Sequence, residues 1–77
     1  MTDAYVLIQT EQGKMEEIAE RMSEMEGVTE AQVVTGPYDI VARVAAPDLD
    51  AIGSMIVSEI QLVGGVLRTL TCPVVQL

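Results

Sequence analysis

Histidine is absent from this chain, which removes the commonest general base and the commonest metal ligand of proteins. The single cysteine, Cys72, therefore has no histidine to activate it as a nucleophile and no second cysteine for a disulfide within the chain. One unpaired cysteine fits a reducing compartment, so we expect a cytoplasmic protein. We predict no catalytic residue, no metal ligand and no cofactor.

Basic residues are also scarce. Four Lys and Arg stand against twelve Asp and Glu, which gives a formal charge of -8. The four basic residues are scattered along the chain as Lys14, Arg21, Arg43 and Arg68. Binding to phosphates requires clustered positive charge, so we expect no direct contact with nucleic acid or with an anionic membrane surface. No apolar run is long enough to span a membrane, and residues 1–4 lack the basic stretch of a secretory signal.

Phenylalanine and tryptophan are missing as well, although 49% of the residues are hydrophobic. The core must therefore be built from aliphatic side chains and methionine. A chain of 77 residues makes one small domain, spanning 1–77, with little interior to hold so much apolar surface. An oligomer would bury the excess.

Hydrophobic spacing divides the chain into four strands and two helices. The predicted elements are a strand over 4–9, a helix over 14–26, strands over 28–35 and 40–45, a helix from 48 to about 63, and a strand over 66–75. Asp48 is the expected N-cap of the second helix, whose apolar face comprises Leu49, Ile52, Ile56, Ile60 and Val63. Pro73 cannot donate to a neighbouring strand, so the last strand should lie at a sheet edge or be bulged at this residue.

The element order βαββαβ, with two similar halves, predicts an α+β fold of the ferredoxin-like type. Its sheet has four antiparallel strands, with the first and third strands central and both helices on one face. The other face should alternate with polar residues in a monomer, but apolar side chains interrupt that alternation at Tyr5, Leu7, Val41, Leu67 and Val75. We therefore expect a second copy to cover this face in a two-fold dimer.

The turn between the two middle strands, Gly36-Pro37-Tyr38-Asp39, carries one of only two aromatic residues in the chain. A structural interpretation has Asp39 hydrogen-bonded to the backbone of its own turn. A functional interpretation has backbone N–H groups near Gly36 receiving a carboxylate while Asp39 receives an ammonium, as a zwitterionic amino acid requires. Thr69 and Thr71 would add hydroxyls on one face of the last strand, where strand propensity alone also explains them.

Three segments together resemble the effector domain of the Lrp/AsnC family of transcriptional regulators, also called the RAM domain. They are the stretch from Val33 to Val41, the Gly65-Val66 step and the run Arg68-Thr69-Leu70-Thr71. The resemblance implies a ferredoxin-like domain that pairs through its sheets and assembles into octameric rings of four dimers. It also implies that an amino-acid effector binds between dimers near the turn. Carried over by motif position, the ligand-binding residues are Gly36, Tyr38 and Asp39, with Thr69 and Thr71 from the neighbouring strand.

Two departures from the family pattern concern the beginning of the chain and the turn. Full-length members carry an N-terminal helix-turn-helix, whereas here the first strand follows Met1 almost at once, so we expect a stand-alone form. Its expected partners are other copies of itself, an amino acid or related metabolite, and full-length Lrp/AsnC regulators through mixed assembly. Pro37 occupies a position that is often acidic or polar in the family.

Two alternatives remain open at this point. The same fold, dimerised through its sheets, also hosts small oxygenases and isomerases, whose sites need a cavity between sheet and helices lined by His, Tyr, Asn or Trp. The other alternative is a purely structural oligomerisation module with an empty effector site.

Overall fold

A computed structural model describes all 77 residues and contains the six predicted elements in the predicted order. They are β1 (Thr2–Thr10), α1 (Met15–Ser23), β2 (Val28–Val33), β3 (Ile40–Ala46), α2 (Leu49–Met55), continued by a π-helical segment (Ile56–Ile60), and β4 (Val66–Pro73). The βαββαβ prediction is therefore confirmed. No helix is long and apolar enough to cross a membrane.

The sheet is antiparallel throughout, with strand order β2-β3-β1-β4. The first and third strands are central, as predicted. Strand β4 lies at an edge, and Pro73 is its last residue, so the missing N–H of this proline interrupts no central ladder.

The hydrophobic core lies between the sheet and the two helices. It contains 14 buried residues, and alternate positions of the two central strands contribute half of them. These strand residues are Ala4, Val6, Ile8, Ile40, Ala42, Val44 and Ala46. Isoleucines of both helices and Met22 fill the other side. The space between sheet and helices, where the enzymatic alternative puts its active site, is thus occupied by packed side chains.

The second helix begins as predicted and then departs from the expected geometry. Asp48 caps it, because its Oδ1 accepts a hydrogen bond from the backbone N–H of Ala51 at 2.8 Å. The prediction that Leu49 faces the core is wrong, since this side chain is 52% exposed and the buried row begins one turn later at Ile52. The π-helical turns at the end of the helix bring Ile56 and Ile60 onto the core.

The side of the sheet that faces away from the helices is called the open face. It carries Asp3, Tyr5, Leu7 and Gln9 of β1, Val41, Arg43 and Ala45 of β3, Glu30 and Gln32 of β2, and Arg68, Leu70 and Cys72 of β4. Three of the five predicted apolar positions lie there. The other two do not: Leu67 falls at the register shift in β4 opposite Gln9 and Thr10, and Val75 follows the end of that strand.

Candidate functional site

The turn predicted as a site joins β2 to β3 and is called the Gly36–Asp39 corner. It is closed by a hydrogen bond from the backbone N–H of Val34 to the carbonyl of Asp39 at 2.9 Å. Gly36 has a φ of 141°, and no heavy atom lies within 4 Å of the position where a Cβ would be placed. The glycine is therefore required by the backbone conformation and not by a lack of space.

Asp39 attaches the corner to the central strand β1. Its backbone N–H donates to the carbonyl of Ile8 at 2.9 Å, and its Oδ2 accepts from the backbone N–H of Thr10 at 2.8 Å and from the Thr10 hydroxyl at 3.3 Å. The structural interpretation, in which the Asp39 side chain bonds to the backbone of its own turn, is wrong, because its donor is Thr10 of β1. Thr10 lies 29 residues away in the chain, and no local spacing signals the contact. The other carboxylate oxygen, Oδ1, accepts no hydrogen bond within the chain.

The corner also presents unpaired backbone donors. The N–H groups of Thr35, Gly36 and Tyr38 donate to no acceptor in the chain, and Pro37 has no N–H. Thr35, Gly36 and Pro37 are exposed, whereas Tyr38 and Asp39 are half-buried. The corner thus holds three amide donors of the kind that bind a carboxylate and one carboxylate oxygen of the kind that binds an ammonium.

Thr69 and Thr71 lie on one face of β4, as predicted, and it is the face covered by the helices. They are opposite Ile8 and Val6, respectively, whose side chains are buried on that side. Strand β1 separates them from the corner, so the distance across the sheet is roughly 10 Å, twice the spacing of neighbouring strands. Within one chain the structure therefore brings Gly36, Tyr38 and Asp39 together and leaves the two threonines apart from them.

A surface groove lies beside Thr69, at the end of the second helix. Its volume is about 510 Å³, and it is lined by Gln61, Val66, Leu67, Arg68 and Thr69. Gln61 donates a hydrogen bond from Nε2 to the Thr69 hydroxyl at 3.1 Å. Sequence reasoning did not identify Gln61, because its position depends on the π-helical turns that precede it. None of the corner residues lines this groove.

Arg43 is the centre of a polar group on the open face that sequence reasoning also missed. Its guanidinium donates to the Tyr5 hydroxyl at 2.8 Å and to Asp3 Oδ2 at 3.1 Å, and its Cζ lies 5.3 Å from the centre of the Tyr5 ring. The hydrogen bond to Asp3 is the main cause of a raised pKa at Arg43. Arg43, Tyr5 and Asp3 are called the Arg43 cluster, and the contact between Arg43 and Asp3 is the one salt bridge of the structure.

Comparison with known proteins gives consistent matches over nearly the whole chain. The family model described as the Lrp/AsnC ligand binding domain matches residues 3–76. The uncharacterized HTH-type transcriptional regulator PF0250 of Pyrococcus furiosus is 30% identical over 73 residues, which is 91% of this chain and 49% of that protein. The chain thus spans about half the length of the curated relatives it matches.

Solved structures show the same fold in chains of different length. The crystal structure of TTHA0845 from Thermus thermophilus is 32% identical, with a TM-score of 0.93, and the match covers 100% of this chain and 96% of that one. The transcriptional regulator NMB0573 of Neisseria meningitidis, solved as a complex with L-Met, has a TM-score of 0.86 at 16% identity. That match covers 97% of this chain and 50% of the regulator, and at this identity it establishes a common fold.

Proposed function

The chain belongs to the Lrp/AsnC ligand-binding domain family, and we propose that it binds a small zwitterionic metabolite of the amino-acid class at the Gly36–Asp39 corner. One observation carries the proposal: the same corner holds three amide N–H groups without an acceptor and one carboxylate oxygen, Asp39 Oδ1, without a donor. The ligand carboxylate binds the N–H groups of Thr35, Gly36 and Tyr38, and its ammonium binds Asp39. Both contacts are charge-assisted hydrogen bonds, the stronger kind.

The corner is open to solvent in a single chain, so the proposed site needs a second molecule to enclose the ligand. Small-molecule sites bury most of the surface of their ligand, and no cavity includes the corner residues. We propose that the ligand binds where two dimers meet, with each dimer formed by pairing of open faces. Thr69 and Thr71 of a neighbouring dimer are the proposed additional contacts.

In the cell, this assembly would act as a cytoplasmic sensor of amino-acid levels. Because the matched relatives are regulators of about twice this length, we propose that mixed assembly with full-length Lrp/AsnC proteins lets the domain modulate them. Ring-shaped octamers of four dimers are the proposed higher state.

A calorimetric titration tests the binding. The common amino acids are titrated one by one, beginning with L-methionine, the ligand of the Neisseria meningitidis regulator with the same fold. The decisive variant is Asp39→Asn, because its amide oxygen can still accept the Thr10 N–H while its amide nitrogen replaces Oδ1 and repels an ammonium. Asp50→Asn, on the exposed start of α2, removes the same charge elsewhere.

We expect saturable binding of at least one amino acid, unchanged in Asp50→Asn and at least about tenfold weaker in Asp39→Asn, the loss expected for a hydrogen bond to a charged group. If no amino acid binds the wild type, or if Asp39→Asn binds as tightly as the wild type, the proposed site is wrong.

A further inference from the structure

We propose that the Arg43 cluster determines whether the open face self-associates. Because Asp3 compensates the charge of Arg43 within each chain, a second copy can cover this face. The inference rests on the open-face dimer of the proposed function and adds the residues that control it.

The geometry places a charged group next to apolar side chains on the two central strands of the open face. Arg43 lies on the central strand β3, directly opposite Tyr5 of β1. Leu7 and Val41, the next pair along these strands on the same face, are apolar, and Leu70 of β4 is 46% exposed. A partner that covers these side chains must therefore also cover the guanidinium.

Arg43 meets such a partner with its charge already paired and two of its five guanidinium N–H donors engaged. The Asp3 carboxylate and the Tyr5 hydroxyl accept from different guanidinium nitrogens, and the Tyr5 ring lies under the charge. The Arg43 and Asp3 side chains are already only 37% and 29% exposed in the single chain. Covering an ion pair that is already formed costs less than burying two separate charges.

The distribution of charge identifies the second copy as the occupant. Two acidic residues, Asp3 and Glu30, and two basic residues, Arg43 and Arg68, lie on the open face. Because these are two of the twelve acidic and two of the four basic residues of the chain, the whole formal charge of -8 lies on the rest of the surface. The rest of the surface carries the net negative charge, which opposes contact between two identical chains, whereas the open face is neutral and does not.

Removing one member of the Arg43 cluster leaves an uncompensated charge beneath the partner. Truncating one side of a covered, hydrogen-bonded ion pair weakens association strongly, whereas replacing all of its polar groups by apolar ones is close to neutral. A solvent-exposed ion pair behaves differently, because its loss has little effect. The variants of the cluster therefore distinguish a covered pair from an exposed one.

Sedimentation equilibrium on the full chain measures the dimer dissociation constant for five proteins. They are the wild type, Arg43→Met, Asp3→Ala, the triple variant Asp3→Ala/Tyr5→Phe/Arg43→Met, and the control Arg68→Met, with far-ultraviolet circular dichroism as the check of folding. Arg68 makes no salt bridge, so its replacement removes the same charge from the same face without breaking a pair.

We expect Arg43→Met and Asp3→Ala each to dimerise at least about 30-fold more weakly than the wild type. The dissociation constant of Arg68→Met should stay within about fivefold of the wild-type value, and that of the triple variant within about tenfold. A folded Arg43→Met or Asp3→Ala that dimerises within about fivefold of the wild type overturns the inference; if one of them fails to fold, the other decides. A monomeric wild type would instead overturn the proposed assembly itself.

Discussion

The Oδ2 atom of Asp39 lies 2.8 Å from the backbone nitrogen of Thr10, so the corner is attached to the end of the central strand β1 by a residue 29 positions distant in sequence. This contact engages Oδ2 and leaves Oδ1 without a hydrogen-bond donor in the chain. A structural contact to Thr10 and the proposed ligand contact are therefore compatible, because each uses a different oxygen of Asp39.

The Asp39–Thr10 contact predicts different stabilities for two substitutions at one position. Asp39→Ala removes the acceptor for the backbone N–H of Thr10, a buried residue, and should lower the free energy of unfolding by about 1–3 kcal/mol. Asp39→Asn keeps an acceptor oxygen and should lose less than about 1 kcal/mol. Urea unfolding followed by circular dichroism measures both. Equal losses in the two variants would show that Thr10 does not depend on this carboxylate.

Two glycines with positive φ provide a matched test of packing around the sheet. Gly13 has a φ of 83° with nothing within 4 Å of an added Cβ, whereas at Gly27, with a φ of 92°, the Met55 methyl would lie at 2.6 Å and the carbonyl of Ala45 at 3.2 Å. Alanine strains the backbone at both positions by roughly 1 kcal/mol. Gly27→Ala should lower the free energy of unfolding by about 1 kcal/mol more than Gly13→Ala, because overpacking adds to the strain. Thermal unfolding measures both variants, and a larger loss at Gly13 would contradict this packing.

The second helix should tolerate change at its first residue and not at its end. Ile60 is fully buried, and Ile60→Ala should lower the free energy of unfolding by about 2–5 kcal/mol. Leu49 is 52% exposed, and Leu49→Ala should cost no more than about 0.5–1 kcal/mol. Chemical denaturation of the two variants tests whether the buried row begins at Ile52. Comparable losses of stability would show that Leu49 packs in the core.

The cap of the second helix gives a further prediction. Asp48→Ala removes the acceptor for the backbone N–H of Ala51 and should cost about 1 kcal/mol. Asp48→Asn retains a good capping side chain and should cost a few tenths of a kcal/mol. The midpoint of thermal unfolding measures both, and an Asp48→Ala protein as stable as the wild type would show that the cap contributes nothing.

The fold was predictable from sequence because each of its determinants is local. The nearly continuous apolar run from Ala4 to Gln9 predicts a strand, and isoleucines four apart predict a helix face. Leu49 misled this reasoning because it continues the same spacing toward the helix start, although its position is beyond the edge of the core. The π-helical turns of Ile56–Ile60 change the number of residues per turn without leaving a signal in the pattern.

The site was predictable only in part, because its contacts connect distant parts of the chain. The corner residues follow one another, so the turn motif identified Gly36, Tyr38 and Asp39 as a group. Thr10 and the Arg43 cluster could not be found in this way, because sheet register brings them to their partners. Sequence spacing does not give register until the strand pairing is known.

A crystal structure grown with the tightest-binding amino acid would decide whether the corner is the ligand site. We expect the ligand at the corner, with its carboxylate within hydrogen-bond distance of the N–H groups of Gly36 and Tyr38 and its ammonium beside Asp39 Oδ1, enclosed by a chain from another dimer. A bound amino acid in the groove beside Gln61 and Thr69, with the corner unoccupied, would contradict the proposed site.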